Sequence, residues 1–293
     1  MSIAIGYVLC RWLHFAALMQ VFGVSCFIGF LTPSVYRARM RDAMHGILTW
    51  SAVITLLTAV MMVVLQAGMM GDGWRDSIRP AVWQAVMQTS FGQVWRYQQC
   101  FSALLLFCLP ERKGRERAAF FLASALLITL AWTGHAAATP GISGTLHRLN
   151  NSLHLLCAGY WAGGLYPFWR TVRYLRNPAG DSAAAVTALI HFSFWGHLAV
   201  AGVVLSGILN GGLLSVWEVP VWRSGYLTGL WLKMFLVCGL IAIAVYNRYW
   251  LIPRMRKARE AALRLLARNC ALQVMLMLSA LFTVSFFATL APH

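Results

Sequence analysis

TLHRLNNSLHLLCAGYWAGGLYP, Thr145 to Pro167, sets two histidines seven residues apart where a long apolar run begins. Seven residues are two helical turns, so His147 and His154 lie on one face of a helix, about 10 Å apart along its axis. The run is long enough to cross a bilayer, whose hydrocarbon core takes about 20 residues of helix. Imidazoles are costly at that depth. What they are for depends on how the rest of the chain is threaded and which other histidines reach the same level.

Of the 293 residues, 60% are apolar and 11% charged, which fits a polytopic membrane protein and not a soluble domain. Basic residues number 24 against 8 acidic ones. In a soluble chain that excess would suggest nucleic acid. Here the basic residues sit between apolar runs, where they read as topology signals, and no nucleic-acid partner is expected. No basic n-region and no A-x-A site precede the apolar run that starts near Ile3, so it reads as a retained first span. The seven cysteines (Cys10, Cys26, Cys100, Cys108, Cys157, Cys238, Cys270) are scattered singly, and no disulfide framework is expected.

The apolar runs predict an all-α bundle of about eight transmembrane helices, near 5–31, 47–70, 94–109, 118–137, 147–169, 187–213, 227–251 and 267–290, forming a single integral membrane domain over 1–293. Alternate connections hold 17 of the 24 basic residues, among them Arg37, Arg39 and Arg41, Arg112 to Arg117, and Arg170 to Arg176. The positive-inside rule then places both termini outside. The Arg254–Arg259 cluster reads as an orientation signal in contact with anionic lipid. In the outer loop from Met70 to Gln93, Trp74 and Trp83, with Trp95 just beyond it, suit an interfacial belt, and part of the loop suits a short surface helix.

A weak repeat is visible. Leu13-His14 and Leu153-His154 occupy like places in spans 1 and 5, which lead through Pro33 and Pro167 into Arg-rich segments. This suggests parallel halves, 1–140 and 141–293, of four helices each.

No Asp or Glu falls inside any of these spans. That argues against carboxylate proton relays, against a hard-cation site and against a Ser-His-acid hydrolase, so no enzymatic activity is expected. Histidine, methionine and cysteine remain, and they suit soft or borderline metals. With the ends outside, His14 and His154 both lie roughly 10–14 Å down and are depth-matched. His135, in TGHAAATPG, and His147 form a shallower pair, and His197, in FWGHLAVAG, lies near mid-membrane. The plain alternative is that each bonds a carbonyl or hydroxyl of a neighbouring helix and only packs. Met19, Met69, Met70 and Cys157 are secondary candidates as sulfur ligands, with packing again the plainer role. Arg11 and Lys233 are expected to snorkel to the outer interface.

RWLHFAALMQVFG, GDGW through WQAVMQTSFGQVW, TGHA, LHLLCAGYWAGGL, WGHLAVAGVVLSGILN and NRYWLIPRMR, taken in order, resemble the CopD/PcoD copper-resistance inner-membrane proteins, in particular their YebZ-like branch. The resemblance covers nearly the whole chain. It implies an eight-span copper-handling protein of the bacterial inner membrane that moves copper from periplasm to cytoplasm, beside a small periplasmic carrier of the CopC type. No CopC-like domain is fused here, so that carrier would be a separate partner. The positions matching the family's histidines are His14, His135, His147, His154 and His197.

Three readings follow. The first is a copper permease, Cu(I) or Cu(II), with capture at His135 and His147, transfer to His14 and His154, and descent toward His197 through weak successive sites. The second is a b-type cytochrome whose haem takes two of these histidines as axial ligands. The third is a copper-binding assembly or sensing subunit without transport.

Overall fold

Pro33 has no N–H to give to the carbonyl four residues back, so the turn before it must find another register. In the computed structural model, which describes residues 2–109, 115–133, 141–176, 182–213 and 224–290, that turn opens into π-helix. Helix α1, Ile3–Cys26, runs on as the π-helical turn Phe27–Leu31, closed by the Thr32 N–H donating to the Phe27 carbonyl at 3.0 Å. Helix α2, Ser34–Met70, follows, then a 3₁₀ turn, Asp76–Ile78, and the short helix α3, Pro80–Gln88. Next come α4, Ser90–Cys108, α5, Arg115–Leu130, α6, Gly141–Tyr174, and α7, Ser182–Leu213. Helix α8, Gly225–Val245, repeats the device of α1: a π-helical turn, Tyr246–Leu251, precedes Pro253. Helix α9, Arg259–Phe287, ends the described chain.

The molecule is an all-α polytopic bundle, and each apolar run read from the sequence lies largely on a helix where it is described. Among the described residues, five helical segments are long and apolar enough to cross a membrane: Ile3–Leu31, Ser34–Met70, Ser182–Leu213, Gly225–Arg254 and Arg259–Phe287. Helix α6 falls short of that composition because its first turns carry His147, Arg148, Asn150, Asn151 and His154. Helix α4 carries Gln93, Arg96, Gln98 and Gln99 in the same way.

Two of the expected boundaries move. Arg37, Arg39 and Arg41 ride the first turns of α2, and Arg170 and Arg173 the last turns of α6, with Pro167 inside that helix. A helix satisfies its own backbone whether in lipid or water, and arginine is a good helix former, so the helix outruns the apolar segment. At 37 residues, α2 is roughly 55 Å long against a hydrocarbon core of about 30 Å.

Helix α1 is the centre of the bundle and packs on α2, α5, α6 and α9. Its crossing with α6 is made by two glycines. A Cβ on Gly23 would run into the Gly163 backbone, and one on Gly163 into the Met19 carbonyl. Small residues let membrane helices approach this closely, since lipid tails offer no hydrophobic penalty to drive helices together. At the same crossing Gln20 Nε2 donates to the Gly163 carbonyl at 3.2 Å.

The outer connection is built around Asp76, which pairs with Arg79 at 2.8 Å and accepts from the Asp72 N–H at 2.6 Å. The surface helix expected in this loop is α3. Trp95 does not join an interfacial belt: it is buried, with its ring 5.0 Å from that of His14.

Candidate functional site

His14 and His154 share a depth, but the structure turns them to different neighbours. Each faces the helix that follows its own, and each meets a hydroxyl there. His14 Nδ1 lies 2.9 Å from Thr58 Oγ1 on α2, and His154 Nδ1 lies 2.9 Å from Ser206 Oγ on α7. Both hydroxyls also lean back onto the carbonyl four residues earlier, Thr58 onto Ile54 at 2.6 Å and Ser206 onto Gly202. The glycines of the helix crossing follow the two histidines at the same interval, nine residues on.

The second ring nitrogen separates the two sites. Gln98 donates its amide N–H groups to the Leu126 carbonyl at 2.8 Å and to Thr129 Oγ1 at 2.7 Å. This fixes Gln98 Oε1 as the atom facing His14 Nε2, at 3.3 Å. An amide oxygen only accepts, so the network assigns the proton of His14 to Nε2, leaving Nδ1 to take the Thr58 hydroxyl proton. His14 is fully buried with both nitrogens engaged, and it is not among the residues lining the cavity at His154. The plain packing role describes its geometry.

His154 has the opposite arrangement. With its hydroxyl turned to the Gly202 carbonyl, Ser206 has an oxygen lone pair free to accept from Nδ1, an arrangement closed to Thr58 because Gln98 fixes the His14 proton on Nε2. Among the described residues no hydrogen bond engages Nε2. Metal-binding histidines commonly present one nitrogen while the other donates to an oxygen that fixes the tautomer. His154 is built this way, and its ring lines a cavity of about 220 Å³.

That cavity opens between α1, α6, α7, α8 and α9, toward the end of the bundle where α1 begins. His147, Asn151 and Met19 line it beside His154, and so do two cations, Arg11 and Lys233. Both cations, expected to reach for the outer interface, line this chamber from their own helices. His147 is buried, two turns from His154 on the same face of α6. No carboxylate lines the chamber.

His197 lines a second cavity of about 250 Å³ nearer the other end, with Asn247 and Gln273 among its polar walls. Trp161 lines both chambers. It is buried in a cluster with Leu165 and Leu240, against which Val200, Val237 and Ile241 pack. An apolar plug thus separates an outer chamber with two histidines from an inner one with a third.

The remaining candidates are dispersed. Met69 and Met70 end α2 exposed, outside either chamber. The Cys157 sulfur packs against Gly202 on α7. His135 lies outside the described residues. Among the described residues no three His, Cys, Asp or Glu side chains cluster as a ready-made metal site. The residues that sequence reading missed are Thr58, Gln98, Ser206 and Trp161. The hydroxyls could have been found as polar positions in otherwise apolar runs facing a histidine-bearing helix.

Residues 1–145 match the family described as copper resistance protein D-like, N-terminal domain, and residues 186–287 match the family described as copper resistance protein D. The chain is 34% identical over 291 residues to the inner membrane protein YebZ of Escherichia coli (strain K12), covering 99% of each. It is 27% identical to copper resistance protein D of Pseudomonas syringae pv. tomato, covering 100% of this chain and 97% of the relative. It is 26% identical to the copper transport protein CutJ of Bacillus subtilis (strain 168), covering 72% of this chain and 39% of the relative.

Proposed function

The chain belongs to the copper resistance protein D family, and we propose on that premise that it binds copper in the outer chamber and passes it inward. The observation that carries this reading is His154, with Nδ1 held by Ser206 and Nε2 left for a ligand at the cavity. Imidazole nitrogen with the Met19 sulfur suits copper, and the lack of carboxylates disfavours Mg²⁺ and Ca²⁺. His147, two turns from His154 on α6, is the capture station.

Copper leaving His154 then meets the Trp161 plug, and beyond it His197 in the second chamber. Weak successive sites around a closed gate are what a conducting path needs, so that no single site holds the ion. The protein sits in the bacterial inner membrane with both termini periplasmic, and a separate CopC-like carrier delivers copper to its outer face. Orientation rests on the basic residues of alternate connections. The haem reading is weaker. A haem needs imidazoles from two sides, whereas His147 and His154 ride one helix and His14 is turned to Thr58 and Gln98.

The test is copper stoichiometry and affinity of purified protein, with its visible spectrum. His154→Ala should abolish high-affinity copper binding, and His147→Ala should slow capture while binding persists. Unchanged copper binding and accumulation in the His154→Ala protein would sink the proposal, and a Soret band in the wild type would favour haem.

A further inference from the structure

Arg11 and Lys233 are two cations that meet no acid among the described residues. Each lies eight residues beyond the start of its helix, α1 and α8 respectively, so each sits about 12 Å along. Both side chains line the outer chamber, and Lys233 is near enough to act electrostatically on His154. Among the described residues the ion pairs are Arg41–Glu116, Arg79–Asp76 and Arg264–Glu260, none of them at the chamber. Among the described residues no hydrogen bond is made by the Lys233 ammonium, and the Arg11 guanidinium lies 5.7 Å from the Phe15 ring centroid, within electrostatic reach of the Tyr7 and Tyr226 hydroxyls. Intramembrane cations are retained at high cost and as a rule pair with an opposite charge. Among the described residues no carboxylate lines the chamber to do so. The walls also carry the neutral amides of Asn151 and Asn210, paired with each other at 3.5 Å, whose N–H groups suit an anion.

We propose that the outer chamber binds a small monovalent anion of the halide class between Arg11 and Lys233, and that copper reaches His154 in company with that anion. The second half rests on the copper reading above. A bare cuprous ion approaching His154 is repelled by both cations, while a bound halide lowers that repulsion and offers the copper a ligand beside imidazole. The anion site therefore acts as a co-ligand site: it sets the charge of the species the chamber accepts.

The probe is chloride. Wild-type protein in nanodiscs of phosphatidylcholine, prepared in gluconate buffer, is titrated with chloride while ³⁵Cl line broadening and thermal unfolding are followed. Saturable broadening and a rise in melting temperature are expected, because a ligand that binds only the folded state stabilises it. Lys233→Gln and Arg11→Gln should each weaken both effects at least tenfold, Lys233→Arg should retain them, and His154→Ala should leave them unchanged. In parallel, Cu(I) affinity is measured at chelator-fixed free Cu(I) in gluconate and in chloride. Chloride should tighten it severalfold in the wild type and not in Lys233→Gln. Absent broadening, or broadening kept by both neutral variants, overturns the anion site, even where copper still binds His154. Chloride binding without any copper binding leaves the anion site standing and removes the copper function. A Soret band that the two neutral variants lose would give the cations to haem propionates and overturn the proposal. Removal of an unpaired intramembrane cation costs no partner, so the Gln variants should fold, and Lys233→Arg guards against a packing defect.

Discussion

Ser206→Ala removes one oxygen, and the structure says what that oxygen does. It lies 2.9 Å from Nδ1 of His154 and bonds the Gly202 carbonyl, the position from which it can accept the Nδ1 proton. Without it the imidazole loses the partner that selects its tautomer, and the ring is free to protonate Nε2, the nitrogen needed for copper. Loss of such an outer partner typically costs about 10–100-fold in metal affinity, or roughly 1.4–2.8 kcal/mol. The matching change in the first half, Thr58→Ala, strips a hydroxyl from His14, which is fully buried. That should cost about 1–3 kcal/mol of stability through the unmet nitrogen, with copper affinity unchanged. Chelator competition for Cu(I) and thermal unfolding, run on both purified variants, read the two effects separately. Ser206→Thr, which keeps the hydroxyl, should restore affinity. The reasoning is refuted if Ser206→Ala, correctly folded, binds copper as tightly as wild type, or if Thr58→Ala is the variant that loses copper.

Gly163→Val puts a branched side chain against the Met19 carbonyl, a backbone atom that cannot step aside. It should separate α1 from α6, seen as loss of monodisperse protein on size exclusion, whereas Gly196→Ala, with open space around it, should be silent. Trp161→Ala removes the wall common to both chambers, so copper entry into vesicles should quicken while Cu(I) affinity at His154 stays within about twofold, less than 0.5 kcal/mol. A periplasm-only reporter should be active when fused after His293 and silent after Arg115. The reverse pattern would put the histidine chamber on the cytoplasmic side.

Much of this architecture could be read along the chain. Helix length against bilayer thickness located the apolar helices. Depth came with them, since rise per residue is fixed. Azimuth did not. His14 and His154 are level, yet α1 turns one toward α2 and α6 turns the other toward α7, because the glycine crossing sets the helices back to back at Gly23 and Gly163. Hydropathy carries no information about that rotation when both faces of a helix are apolar or protein-covered. The same blindness sent Arg11 and Lys233 to the membrane surface: a cation within reach of an interface snorkels unless a chamber lies nearer, and chambers are made by neighbours.

The likeness between the halves bears on why only one of them presents a ligand. His14 and Thr58 on one side, His154 and Ser206 on the other, have one geometry, and the glycines nine residues after each histidine meet at the crossing. We read this as duplication of a four-helix unit. The third helix of each half then decides the outcome. In the first, α4 brings Gln98, whose oxygen claims Nε2 of His14 and whose amide ties α4 to α5. In the second, α8 brings Lys233, which has no acceptor to offer and leaves Nε2 of His154 open. One glutamine closes a site into core, and one lysine keeps its counterpart a chamber. Gln98→Ala should therefore free His14 Nε2 without making a copper site, since the ring is fully buried and lies outside the chamber at His154. Lys233→Gln carries the converse risk, that a new amide captures His154. Cu(I) titration separates these cases, because capture predicts copper loss in gluconate and chloride alike, whereas loss of the anion alone predicts loss only of the chloride-dependent part.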